Sequence, residues 1–283
     1  MTETLDPISI LQLSDLHMME TPEATLLGVN TEYYFRACLE QAVRLGPRQI
    51  VRPSSRQAVT AKNQFDLILL TGDLAQDPCL ASYRSILAIL DQYQIPSLCL
   101  PGNHDDYDLM LHVLNTDSIH CHKKLLLGNW QLISLNSQIP EQGGGRLPGE
   151  ELAFLENSLT ENPNRHALIA VHHHCLETNS PWMDAIMIEN RQEFLAILDK
   201  YPQVKAVTHG HIHQVMDRQT ATYRVLGAPS TCFQFTPESP ELSIDDTAPG
   251  YRIIELYADG LIESEVFRLP EPLVGLQASV HNY

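Results

Sequence analysis

Five short apolar runs each stop abruptly on a cluster of Asp, Asn, His and Gly, and this recurrence limits the fold more than any other feature of the chain. The runs are "ISILQLS" at 8–14 before "DLH", "FDLILL" before "TGD", "SLCL" before "PGNHDD", "HALIAV" before "HHH", and "VKAV" before "THGHIH". Runs this short, apolar throughout and bounded by turn formers, read as buried strands. Between them the apolar spacing becomes helical: 31–45, 81–94 (stopped by Pro96), a stretch near 149–159 that follows a glycine hinge, and 190–202. Thr31 with Tyr34 does not form a capping box, so the start of the first helix is left open. "LLLGNWQLISLNS" at 125–137 reads as a hairpin turning at Gly128 and Asn129, and 223–269 as several further strands. Strands alternate with helices to about residue 210, which predicts an α/β fold with mixed sheets. Ligands of such sheets bind beyond the carboxyl ends of the strands, where the polar clusters fall.

No stretch has the composition of a linker, so residues 1–283 are read as a single domain, with the polar, cationic 46–64 as an insertion or surface loop. A formal net charge of -17 is the opposite of a polyanion-binding surface, which argues against nucleic acid as a partner. There is no basic n-region followed by an apolar h-region at the start and no apolar run long enough for a bilayer; a cytoplasmic protein without membrane attachment is expected. None of the six cysteines forms a C-x-x-C pair, which predicts buried, unpaired thiols.

The clusters carry metal-ligand chemistry. Asp15 and His17 are two residues apart after a strand; were the chain extended there, both would face one side and could hold one ion. The same holds for His211 and His213 in "HGHIH", where Gly210 permits close approach. Asp73 follows Gly72 at a strand mouth and is the candidate carboxylate bridge between two cations. Asn103 offers a neutral hard oxygen, and His104 beside it is better placed to touch substrate or donate a proton than to bind metal. Alternation forbids His172, His173 and His174 from all pointing at one ion, so one is a ligand and a neighbour a support or substrate contact. Taken singly, D-x-H or G-D is more often a solvated turn than a metal site; the specificity lies in the ordered set, each member following a predicted strand. Trp182 in "LETNSPWMDAIMIEN" could stack on a base, although a core or rim aromatic is the stronger reading.

The ordered set "DLH", "TGD", "GNHD", a His after a strand, and "GHIH" resembles the calcineurin-like metallophosphoesterase superfamily over roughly residues 8–270. The longer matches "TGDLAQD", "HGHIHQ", "GAPSTCFQF" and "DDTAPGYRIIEL" resemble the class III cyclic nucleotide phosphodiesterases, bacterial 3',5'-cyclic AMP phosphodiesterases in particular. The resemblance implies a four-layer α/β/β/α sandwich with two divalent ions, Fe or Mn before Zn, at one edge. Carried over, Asp15, His17, Asp73 and His213 would hold one ion, and Asp73, Asn103, His172 and His211 the other. His104 would contact the phosphate or protonate the leaving oxygen, and Asn103 and His173 would contact substrate. Cys175 stands where relatives often have Pro after the histidine pair. The implied activity is two-metal hydrolysis of 3',5'-cyclic AMP to 5'-AMP; the alternatives are other phosphodiesters or phosphomonoesters and, at greater distance, a non-catalytic scaffold. A homo-oligomer is left open.

Overall fold

The computed structural model describes residues 6–47 and 64–277. Most of the expected insertion at 46–64 therefore lies outside the described residues.

Two six-stranded sheets dominate. The first runs β14 (Ile262–Arg268), β13 (Gly250–Leu256), β1 (Ile8–Leu13), β2 (Leu67–Thr71), β3 (Ser97–Leu100) and β4 (Ile119–His120). The second runs β5 (Lys124–Leu127), β6 (Trp130–Leu135), β7 (His166–Val171), β8 (Val204–His209), β10 (Arg224–Gly227) and β9 (Met216–Gln219). A small ribbon pairs β11 (Gln234–Phe235) with β12 (Ile244–Asp245). In the first sheet β1, β2 and β3 are parallel; in the second β6, β7 and β8 are parallel. Each parallel set therefore carries its carboxyl ends to one edge. The predicted hairpin is present, with Leu127 opposite Trp130.

Alternation along the strands divides the core into three layers. Ile10, Leu67, Leu69, Leu98 and Leu100 of the first sheet meet Trp130, Leu132, Leu168, Ala170, Ala206 and Leu226 of the second, which packs the sheets face to face. The opposite face of the first sheet, with Leu11, Leu13, Ile68 and Leu70, is covered by α1 (Thr31–Leu45), α2 (Leu80–Asp91) and α3 (Tyr107–Val113). The outer face of the second, with Ile133, Ile169, Val171 and Val207, is covered by α4 (Gly149–Glu161) and α6 (Arg191–Lys200); the short α5 (Pro181–Asp184) lies between them in sequence. The result is the expected four-layer α/β/β/α sandwich.

Buried polar groups cross the apolar interior between the sheets, Gln12 and Arg252 among them. Gln12 donates to Thr71 Oγ1 (3.0 Å) and to the His209 carbonyl (3.2 Å), and accepts from Thr208 Oγ1 (2.7 Å). It ties β1 and β2 to β8 directly beneath the edge where the clusters emerge.

Local chemistry explains where the helices differ from the sequence reading. Asn30 caps α1, accepting from the Tyr33 N–H at 2.8 Å, so the cap lies one residue before Thr31. The second helix ends at Asp91, not at residue 94; Gln94 has φ 53°, a left-handed conformation no helix continues through. The β-rich tail begins at β9, before residue 223. All six cysteines are free, and all but Cys79 are buried.

Candidate dinuclear metal centre

The loops leaving β1 and β2 run side by side. Asp15 N–H donates to the Gly72 carbonyl (3.0 Å), His17 to Asp73 (2.9 Å) and Met18 to Leu74 (2.9 Å). His211 N–H bonds both oxygens of Asp15 at 3.0 and 3.2 Å, and His104 N–H bonds Asp73 Oδ1 at 2.9 Å. Four clusters far apart in sequence are thus tied together by backbone donors, two of them bonding the carboxylates of Asp15 and Asp73.

The backbone is not extended where the i, i+2 spacing assumed it. Asp15 (φ 53°), His17 (46°), Asp73 (49°), His211 (67°) and His213 (45°) are all left-handed. Their side chains converge because the chain turns sharply at each, so the outcome of the spacing argument stands on a different cause. Each such residue costs on the order of 1–3 kcal/mol and persists only where its surroundings dictate it. Gly72 (φ 90°) follows the same logic: a Cβ there would collide with the His172 ring. At Gly210 a Cβ would collide with Ser14 and Asp15.

Side-chain atoms then meet in two groups joined at Asp73. His17 Nε2 lies 3.8 Å and His172 Nε2 3.3 Å from Asp73 Oδ2. His213 Nε2 is 3.5 Å from Asp15 Oδ1 and 3.1 Å from His17 Nε2. Asn103 Oδ1 is 3.2 Å from His172 Nε2. Ligand-type atoms of Asp15, His17 and His213, and of Asp15, Asp73 and His172, lie within 4.8 Å of one another. Asp15, His17, Asp73, His172, His211 and His213 are all buried.

Proton placement shows that these atoms fit divalent cations. His213 Nδ1 faces the Phe233 carbonyl (2.9 Å), His172 Nδ1 the Thr71 carbonyl (2.8 Å) and His17 Nδ1 the Gln76 Oε1 (2.7 Å). A carbonyl only accepts, so each Nδ1 carries the proton; Nε2 of His17 and His213 then presents a lone pair, and Nε2 of His172 does so once its second proton is displaced. The His17 and His213 lone pairs then point at each other across 3.1 Å, and His172 Nε2 points at two oxygen acceptors. The Nε2 of His211 is buried with no hydrogen-bond partner. Convergent lone pairs and buried carboxylates are repulsive until positive charge sits among them.

The protonation equilibria agree. Burial pushes His17 down to about 4 and holds His211 and His213 well below the usual imidazole range, which favours the neutral, metal-binding form. Burial, with Asp73 adding to it, raises Asp15 to about 7. Burial would also raise Asp73, but His172, His104 and His17 outweigh it and keep that carboxyl well below its ordinary value. His172 is the inverse: burial lowers it, yet Asp73 and Asp15 lift it to about 9, so one proton partly occupies the place a cation would take.

The three adjacent histidines separate cleanly. His172 faces Asp73 and Asn103. His173 is fully buried; the Ser137 hydroxyl lies 2.8 Å from its Nδ1, and its Nε2 is 3.3 Å from the Gly143 carbonyl. Both ring nitrogens have protein partners, which favours the supporting role for His173 over substrate contact, although its ring also lies within 4.8 Å of ligand-type atoms of His172 and His211. His174 stacks on His211 with ring centroids 5.6 Å apart, and His209 bonds the Gly210 carbonyl. Trp182 packs edge-on against Phe235, a core and rim role.

Two supporting residues escaped the sequence reading. Gln76 accepts from His17 Nδ1, and its backbone carbonyl lies 3.4 Å from His104 Nδ1, so one residue orients a ligand-type and a catalytic-type histidine. Asp105 is buried and accepts from the N–H groups of Leu74, Ala75 and Gly102 and from the Tyr83 hydroxyl. It fixes the loops that carry Asp73 and Asn103. The signal for both was their position two or three residues past a ligand-type residue.

Replacing Gln76 with Leu removes the acceptor that sets the His17 tautomer. The expected result, read by isothermal titration with Mn²⁺, is metal affinity weaker by about 10–100-fold. Unchanged affinity would show that Gln76 does not orient His17.

The family model described as calcineurin-like phosphoesterase matches residues 8–215. A 3',5'-cyclic-nucleotide phosphodiesterase of a Nostoc species is 38% identical over 94% of this chain and 94% of the relative. The 3',5'-cyclic adenosine monophosphate phosphodiesterase CpdA of Escherichia coli K12 is 37% identical over 93% of this chain and 90% of its own length. Among solved structures, a dimetal phosphatase from Danio rerio superposes with a TM-score of 0.61 at 13% identity, covering 93% of this chain and 99% of that one, which bears on the fold alone.

Proposed function

The chain belongs to the calcineurin-like phosphoesterase family, and on that premise we propose that it is a dinuclear-metal phosphodiesterase that hydrolyses 3',5'-cyclic AMP to 5'-AMP. The observation that carries the substrate is the 38% identity to a 3',5'-cyclic-nucleotide phosphodiesterase across 94% of both chains. The buried convergence of carboxylates and imidazoles supports the two-metal chemistry. We read 1–283 as one metallophosphoesterase domain acting in the cytoplasm; no described helix is long and apolar enough to cross a membrane.

Asp15, His17, Asp73 and His213 would hold one cation, and Asp73, Asn103, His172 and His211 the other. When bound, the pair supplies Lewis-acid polarisation of the phosphate and acidification of water. A set of nitrogen and oxygen donors without thiolate suits Fe or Mn, with Zn as the alternative. Asp73 neutralises charge between the two positions. Asn103 would add an oxygen ligand without adding negative charge, leaving the cation's charge to polarise the phosphate. His104 is only partly buried, and its backbone is anchored on Asp73. Both features support a role for its ring in stabilising or protonating the departing 3'-oxygen.

The test is kinetics on 3',5'-cyclic AMP, 3',5'-cyclic GMP, 2',3'-cyclic AMP and glycerophosphodiesters after reloading with Mn²⁺, Fe²⁺ or Zn²⁺. Highest kcat/KM on 3',5'-cyclic AMP is expected. No preference for it would move the function to another phosphodiester, and no hydrolysis with any metal would favour a non-catalytic role.

A further inference from the structure

We propose that the groove beside His104 is a purine subsite that reads adenine through one donor and one acceptor. The inference rests on the cyclic-nucleotide reading above. A cavity of about 500 Å3 opens from Asn103 and His104 and runs between the loop after β3 and the loop after β6. That size is typical of small-molecule pockets, about 300–1,000 Å3. It spans the seam of the two sheets at their carboxyl edge, continuous with the metal centre through Asn103 and His104.

Tyr107, Asn136, Gln138 and Pro140 line it beyond the site. Gln138 spends its amide nitrogen on two carbonyls, those of Gly102 (3.0 Å) and Asp105, which fixes the amide orientation and leaves Oε1 as an acceptor. Gln138 N–H donates to Asn136 Oδ1 at 2.9 Å, which fixes the second amide and leaves Asn136 Nδ2 as a donor. Neither Gln138 Oε1 nor Asn136 Nδ2 has a hydrogen bond among the described residues. Two amides locked in opposite senses and left half-used suit a ligand that presents an acceptor next to a donor.

Adenine presents that pair as N7 beside the N6 amino group; guanine presents two acceptors, N7 and O6, on the same edge. Tyr107 is half-buried and offers a ring face for stacking. Asp106, Asp108 and Glu141 make the rim acidic, which disfavours a second phosphate and suits a neutral base.

The experiment compares the metal-loaded full chain with Asn136→Asp, which is isosteric but lacks the donor, and with Tyr107→Leu. Substrates are 3',5'-cyclic AMP, 3',5'-cyclic GMP and bis(4-nitrophenyl) phosphate, a diester without a purine. In both variants kcat/KM for cyclic AMP is expected to fall about tenfold relative to that for the purine-free diester. In Asn136→Asp the preference for adenine over guanine is expected to shrink as well. Wild-type protein that cleaves only the purine-free diester overturns the cyclic-nucleotide reading itself. Wild-type activity on cyclic AMP, with variants that lose both substrates equally or neither, overturns the groove alone.

Discussion

Asp73→Ala is expected to empty both cation positions and to lower kcat/KM for 3',5'-cyclic AMP by about 10³-fold or more. Its carboxylate lies between the proposed halves of the centre, 3.8 Å from His17 Nε2 on one side and 3.3 Å from His172 Nε2 on the other. Each bound cation contributes several kcal/mol of charge stabilisation in the transition state, and each factor of ten in rate is about 1.4 kcal/mol. Loss of the pair therefore reaches 10³ even if the second-order effects are small. Asp15→Ala is the comparison: in the proposed assignment Asp15 ligates one ion only, so this variant should keep more metal than Asp73→Ala. Metal content by plasma mass spectrometry separates the two variants. If Asp73→Ala retained as much metal as Asp15→Ala, the shared-ligand role of Asp73 would be wrong.

The two carboxylates also show what the sequence made legible and what it did not. Asp15, Asp73, Asn103 and the His211–His213 pair were visible because each follows an apolar run, and a parallel sheet has one edge where such runs end. The sandwich was visible for the same reason, since alternating strands and helices leave few ways to bury both faces of two sheets. What spacing could not supply was the backbone conformation. It assumed extension at Asp15 and His211, whereas five of the ligand-type residues are left-handed, held by cross-loop N–H bonds that exist only after folding. It could not choose among His172, His173 and His174 either. That choice depends on Ser137 and Gly143, contributed by a loop that precedes the histidines by about 30 residues, which occupy His173 and leave His172 to face Asp73. Short helices such as α3, seven residues long, have too few turns to show a period at all.

Nothing in the sequence marks the Asp105 that follows "GNH" as structural, yet its replacement is the other change expected to have a large effect. Its two oxygens accept from three backbone N–H groups at 2.9–3.1 Å and from the Tyr83 hydroxyl at 2.9 Å. All four groups are donors, so no neutral side chain of similar size serves them: Ala leaves them without a partner, and Asn turns an amino group toward N–H donors. A buried donor without an acceptor costs about 1–3 kcal/mol, and the costs here fall on the two loops that carry Asp73 and Asn103. Asp105→Ala is expected to destabilise the fold by on the order of 3 kcal/mol, which corresponds to a drop in Tm of about 5 °C for a chain of this size. Because Asp73 and Asn103 lose their anchor, metal affinity and kcat should fall. Calorimetry with and without Mn²⁺ separates the two consequences. Metal should stabilise the wild type by RT ln(1 + [L]/Kd) and the variant by much less. A variant whose Tm dropped while its metal-dependent stabilisation stayed intact would make Asp105 a fold residue only; one with unaltered Tm and full metal content would remove it from both roles.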